Sequence, residues 1–164
     1  MSASTHVAGG WTLAEIFERP RGSVGTSDWL IVDREQLATF AQASRLTADS
    51  VDLTTSLNNR WGPELVDGFL LVSLLVHFQW ATFPLREPGG WALNYGLDGV
   101  RFIAPVFVGE RVRDHIELID ARERRPGQIL VTTRHRLEIE GKSKPALIAN
   151  WLSLYLTGEL EPHR

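Results

Sequence analysis

The 164-residue chain contains no cysteine, which removes disulfide staples, thiolate nucleophiles and cysteine-based metal centres together. Histidine is sparse and unevenly placed. The five histidines stand at positions 6, 77, 115, 135 and 163, so the stretch from 7 to 76 has none. That spacing supplies no compact zinc motif, and neither a metal nor another cofactor is expected. Long apolar runs are also missing: "FLLVSLLVHFQW", residues 69–80, has 12 residues, against roughly 20 needed to cross a bilayer. No membrane association is expected. An excess of positive charge is absent too, and a net charge of -3 gives no electrostatic reason to expect nucleic acid as a partner. The N-terminal "MSASTHVAGGW" lacks the basic and apolar regions of a signal peptide, which leaves the cytoplasm as the expected location.

What is present is an ordinary globular composition, 43% hydrophobic and 23% charged, at a length suited to one domain with an ample core. Residues 1–10 read as a flexible start and residues 11–160 as a single domain. In "TLAEIFERP", Thr12 and Glu15 have the spacing of a capping box on a short helix ending near Pro20. In "SDWLIVDREQLATFAQAS" a short strand, Trp29 to Val32, precedes a half-buried helix whose start is marked by Asp33 and Gln36. The 69–80 segment is apolar on nearly all sides, which predicts a helix in the middle of a core.

Beyond "PLREPGG" the pattern becomes extended. In "ILVTTRHRLEIE" the positions 131, 133, 135, 137 and 139 form a mainly apolar face, while 134, 136, 138 and 140 carry charge. Alternation with period two implies strands buried on one face. Pro126-Gly127 and Gly141-Lys142 punctuate the turns between them. An α+β arrangement, with a long antiparallel sheet wrapped around one buried helix, is the simplest assembly of these parts.

Three blocks, "ELVDGFLLVSLL", "NYGLDGVRFIAPVFVGERVR" and "KPALIANWLSLY", resemble the MaoC-like, nodulation-protein-N-like branch of the hot-dog superfamily, over about residues 28 to 156. The middle block is the specific one, with its tyrosine-glycine turn, arginine-phenylalanine pair, proline and "VG.RVR" in fixed order. The resemblance implies a hot-dog fold and a homodimer with the sheet continued across the subunits. It also implies acyl thioesters of coenzyme A or a carrier protein as substrates.

In hydratases of this kind an aspartate and a histidine, on the loop before the central helix, activate and deliver water, and a helix-end amide holds the thioester oxygen. Counting from Phe40-Ala41 puts these two positions at Leu46 and Val51; counting back from Gly68 puts them at Arg45 and Ser50. A looser match through Thr47 to Asp49 leaves Thr54 at the histidine position. In every register the pair is lost. The family's histidine before the helix glycine is Asp67 here, whereas Gly68 is retained.

Each candidate has a structural reading beside the chemical one. Gly68 fits the oxyanion-binding helix end, or a plain helix start. Asp67 is either an N-cap or an acid-base group. Asp49 and Asp52 are turn-forming residues that would become bases only if their surroundings raised their pKa. His77, on an apolar helix, and His135, on an inward strand face, read first as core histidines. Asn94 and Tyr95 belong to the best-matched block and shape a pocket wall, with a catalytic Tyr95 the sharper alternative. Trp61, Trp80 and Trp91 fill core or wall a pocket for a bulky apolar substrate.

Three functions follow from this reading. The leading one is an enzyme repurposed in a biosynthetic, polyketide-like pathway, which positions a hydrophobic unsaturated or thioester-derived substrate for cyclisation, isomerisation or atypical dehydration. The second is a non-catalytic subunit or binding module paired with an active hot-dog partner. The third is an (R)-specific hydratase or dehydratase with displaced carboxylates.

Overall fold

The computed structural model describes residues 10–46, 61–86 and 90–157. The elements run α1 (Leu13–Glu18), β1 (Gly22–Thr26), β2 (Leu30–Ile31), α2 (Arg34–Ser44), α3 (Gly68–Thr82), β3 (Trp91–Phe102), β4 (Arg111–Arg125), β5 (Gln128–Ile139) and β6 (Leu147–Leu156).

Both capping boxes form. Thr12 Oγ1 accepts from the Glu15 amide at 3.3 Å while the Glu15 carboxylate accepts from the Thr12 amide at 2.8 Å. The Thr12 amide, and then its hydroxyl at 3.0 Å, donate to the Glu15 carboxylate and hold that carboxyl below its ordinary value. Asp33 and Gln36 repeat the arrangement at the start of α2, at 2.8 and 3.0 Å. Each box satisfies two amides that the first turn leaves without partners. α2 ends at Arg45 in the left-handed conformation, φ 59°, and it rests on the core through Leu37 and Phe40.

The strands form one antiparallel sheet in the order β1-β4-β5-β6-β3, with β2 added alongside β4. Both expected turns are present: Arg125 pairs with Gln128 across Pro126-Gly127, and Gly127 has φ +76°, a conformation that glycine adopts without penalty. On β5 the positions 131, 133, 135, 137 and 139 are all buried, so the alternation in the sequence does mark the inward face.

The core has two parts. One joins α3 to the sheet through Leu70, Leu71, Leu75 and Phe78 against Val112, Leu137, Ile139 and Leu147. The other joins α1 to the far end of β4, β5 and β6 through Leu13, Ile16, Leu118, Val131 and Tyr155. Burial pushes the Tyr155 phenol above its ordinary range.

α3 departs from the expectation of burial on all sides. Its sheet-facing side is buried, but Phe69, Val76 and Trp80 are 69%, 39% and 49% exposed in the single chain, and His77 points outward. Among the described strands β3 lies at the sheet edge, paired with β6, and Leu93, Tyr95 and Leu97 on it are exposed as well. Among the described residues an apolar helix side and an apolar edge strand are therefore left uncovered.

Candidate active site

The segment before α3 is fixed by a short antiparallel contact. The Val66 amide donates to the Val106 carbonyl and the Val108 amide to the Glu64 carbonyl, both at 2.9 Å. This holds Asp67 at the N-cap of α3, where it is 2% exposed and Oδ1 accepts from the Phe69 amide at 2.7 Å. A carboxylate there satisfies a first-turn amide and complements the positive end of the helix dipole. Asp67 thus has a structural function in this geometry, whatever further part it plays.

Beside that cap lies a cavity of about 260 Å³, bounded by Trp61, Leu65, Gly68, Phe69, Phe102 and Pro105 among other apolar residues. None of the described residues that line it has a titratable side chain. It offers apolar contact and the end of α3, but among the described residues it offers no group that could exchange a proton. A larger groove of about 460 Å³, lined by Asp33, Gln36, Thr39, Phe40 and Leu70, runs along α2. That groove is more open and does not include Gly68, so the smaller cavity is the better candidate despite its size.

The structure brings Gly68 and Trp61 together in this cavity and sets Asp67 immediately behind it. Asn94 and Tyr95 lie on β3 outside its lining, exposed, with the Arg124 guanidinium 4.7 Å from the Tyr95 ring centre. His77 is exposed on the outer side of α3 and is not part of the lining. Asp49 and Asp52 lie outside the described residues.

A pair absent from the sequence reading appears in the sheet. His135 Nδ1 is 2.5 Å from Asp114 Oδ2, and both side chains are wholly buried. The His135 Nε2 is 2.9 Å from Thr133 Oγ1, and the ring lies 5.8 Å from that of Trp151. The Asp114 amide donates to Ser27 Oγ at 2.9 Å, while Asp114 Oδ1 is buried with no hydrogen-bond partner among the described residues. Neither residue lines either cavity. The signal was available: in "VRDHIEL" Asp114 falls on the same face as Val112, Ile116 and Leu118. A carboxylate on an apolar face requires a buried partner.

A second histidine site lies on the outer face. His115 Nε2 meets Glu138 Oε2 at 2.5 Å and the Arg113 Nε donates to the same oxygen at 2.8 Å. The hydrogen bond from Arg113, with His115 adding to it, holds the Glu138 carboxyl below its ordinary value. Among the described residues no group of three His, Asp or Glu side chains is arranged to hold a metal ion. No described helix is long and apolar enough to cross a membrane.

Comparison with known proteins agrees with this architecture. The chain is 32% identical over 148 residues to nodulation protein N of Rhizobium leguminosarum bv. viciae, covering 87% of this chain and 90% of that protein. It is 32% identical over 149 residues to 3-hydroxyacyl-thioester dehydratase Z of Mycobacterium tuberculosis, covering 88% and 96%. The monoamine oxidase regulatory protein of Archaeoglobus superposes with a TM-score of 0.70 at 18% identity, over 88% of this chain and 95% of that one. No family model matches the chain. The helix-wrapped antiparallel sheet is the hot-dog fold. The chain belongs to the MaoC-like, nodulation-protein-N-like branch of that superfamily, a branch of dehydratase-family proteins.

Proposed function

We propose that this protein is a divergent dehydratase-family enzyme that holds an apolar, unsaturated acyl thioester, or a substrate derived from one, in the cavity at Gly68 and acts on it mainly by positioning. The observation that carries this reading is the cavity itself. Its described side chains are apolar and it ends on a helix N-terminus, yet this described lining has no acid or base. A relative at 32% identity is a 3-hydroxyacyl-thioester dehydratase, which supports a thioester as the ligand class. The lack of histidine between positions 7 and 76 argues against the two-group water activation of dyad-bearing relatives. Orientation of reacting groups can lower a barrier by several kcal/mol without proton transfer, which suits cyclisation, isomerisation or an atypical dehydration in a polyketide-like pathway.

The Gly68 amide has no hydrogen-bond partner among the described residues, since Asp67 takes the amide of Phe69 instead. It is the donor to which a thioester oxygen would be directed. A homodimer completes the reading: a second copy pairing along β3 would cover the exposed strand edge and the outer side of α3, both of which are costly to leave open. The alternative of a non-catalytic subunit draws on the same surfaces, with a related hot-dog chain in place of the second copy.

The test is calorimetric titration of the purified protein with crotonyl-coenzyme A, accompanied by product analysis. Binding that Gly68→Ala abolishes, with little hydrated product, is the expected result. Failure of any short or medium-chain enoyl thioester to bind contradicts the proposal.

A further inference from the structure

The reason for glycine at position 68 lies in what stands above it. The φ of Gly68 is not in the left-handed region, so its backbone does not require glycine. A Cβ at that position, however, would lie 2.8 Å from Cε1 of Phe102 and 3.0 Å from its Cδ1 and Cζ. Real Cβ contacts are essentially never that short, so any larger residue at 68 would displace the ring. Phe102 therefore sits directly on the first residue of α3, at the end of β3.

Three rings converge there. Phe69 and Phe102 meet edge to face with centroids 6.1 Å apart, and Trp61 lines the same cavity. Their exposures of 69%, 51% and 45% are high for large apolar side chains grouped at one cavity.

We infer that Phe102 is a specificity-determining residue, a wall that selects acyl groups unbranched beside the thioester carbonyl. The inference rests on the thioester reading of the cavity. If the carbonyl oxygen is bound by the Gly68 amide, the carbon next to the carbonyl must lie beside Gly68, where the Phe102 ring already stands. An unbranched acyl group passes with its edge toward the ring. A methyl branch on that carbon, which conjugation keeps in the acyl plane, widens that edge into the ring. Phe102 and Gly68 thus act as one steric unit, with the glycine leaving room for the ring and the ring setting the width of the approach.

The experiment compares calorimetric binding of crotonyl-coenzyme A with that of its 2-methyl homologue, tigloyl-coenzyme A, for the wild type, Phe102→Ala, Phe102→Leu, Gly68→Ala and the double variant Gly68→Ala/Phe102→Ala. The wild type should prefer crotonyl-coenzyme A by roughly tenfold or more, the discrimination typical of one added carbon in a shaped pocket. Phe102→Ala should erase most of that preference, mainly by improving tigloyl binding. Gly68→Ala should lose crotonyl binding and the double variant should recover part of it, which a simple loss of stability would not produce. Phe102→Leu, with a smaller side chain that keeps the fold's apolar contact, should fall between the wild type and Phe102→Ala.

An unchanged preference in both Phe102 variants, or a double variant no better than Gly68→Ala, overturns the role of Phe102 while leaving the thioester reading intact. Absence of binding of both probes to the wild type overturns the thioester reading and this inference with it.

Discussion

The cavity at Gly68 and the Asp114–His135 pair divide between them what an acid-base site needs together. The cavity has access, apolar described walls and a helix-end amide without a partner among the described residues, but no titratable side chain in its described lining. The pair has a carboxylate and an imidazole 2.5 Å apart, but no exposed surface at all and no place in either cavity. In the sheet the same residue types act as a buried polar tie between β4 and β5, anchored to β1's end through Ser27. The difference teaches that an Asp–His contact alone does not make a catalytic dyad. Substrate must reach the proton, and a fully buried pair is more usually a structural commitment whose loss is expensive.

The comparison can be broken most forcefully from its buried side. Asp114→Ala removes the buried partner of His135 Nδ1 and should cost about 1–3 kcal/mol of unfolding free energy, read from urea denaturation. A loss below about 1 kcal/mol would show that the pair is not the buried tie described here. The remaining folded fraction should bind crotonyl-coenzyme A as the wild type does, since neither residue of the pair lines the cavity.

Asp67 sharpens the other side, because it adjoins Gly68 of the cavity and caps α3. Replacing it by alanine should cost about 0.5–2 kcal/mol, whereas asparagine caps nearly as well and should leave the melting temperature almost unmoved. On the native substrate, Asp67→Asn should lower turnover if the carboxylate participates in chemistry. Full activity in that variant would confine Asp67 to its cap.

A smaller effect is expected outside both regions. Bonding to Arg113 and His115 depresses the Glu138 carboxyl in the folded chain, so its stabilising contribution is present above the unfolded carboxylate value of about 4.3. It is lost as the pH falls through the lower folded value. Glu138 is partly solvent-exposed, and about 0.2–1 kcal/mol is the expected size. Glu138→Gln should therefore be slightly less stable than the wild type at neutral pH, with the gap closing below about pH 4. A constant gap across the acid range would contradict this assignment.

The local signals in the sequence were legible because they act over a few residues. Thr12 with Glu15 and Asp33 with Gln36 are spaced so that each side chain can reach the other's amide. The alternation on β5 reports its two faces directly. The match of the block around Phe102 to its family was legible too, since it depends on residues in fixed order. What was not legible depends on strand order. The outer side of α3 is uncovered because of what the sheet leaves open, and an apolar helix reads the same whether its cover comes from its own chain or another. β1, short and rich in small residues, gave no periodic signal. Asp114 and His135 are 21 residues apart and meet only through the β4–β5 register, in which Ile116 faces His135. The steric role of Gly68 is likewise invisible until Phe102 is seen upon it.

The central claim, that the accessible cavity works without the family's aspartate and histidine, is tested most directly by the rate of crotonyl-coenzyme A hydration, compared with that of a MaoC-like hydratase which retains both residues. General acid-base groups contribute about 10² to 10⁴ each, so kcat/KM for this protein should be lower by at least about a thousandfold while binding persists. A rate within about tenfold of the intact relative would contradict the account, and would assign the missing proton transfer to Asp49, Asp52 or Asp67.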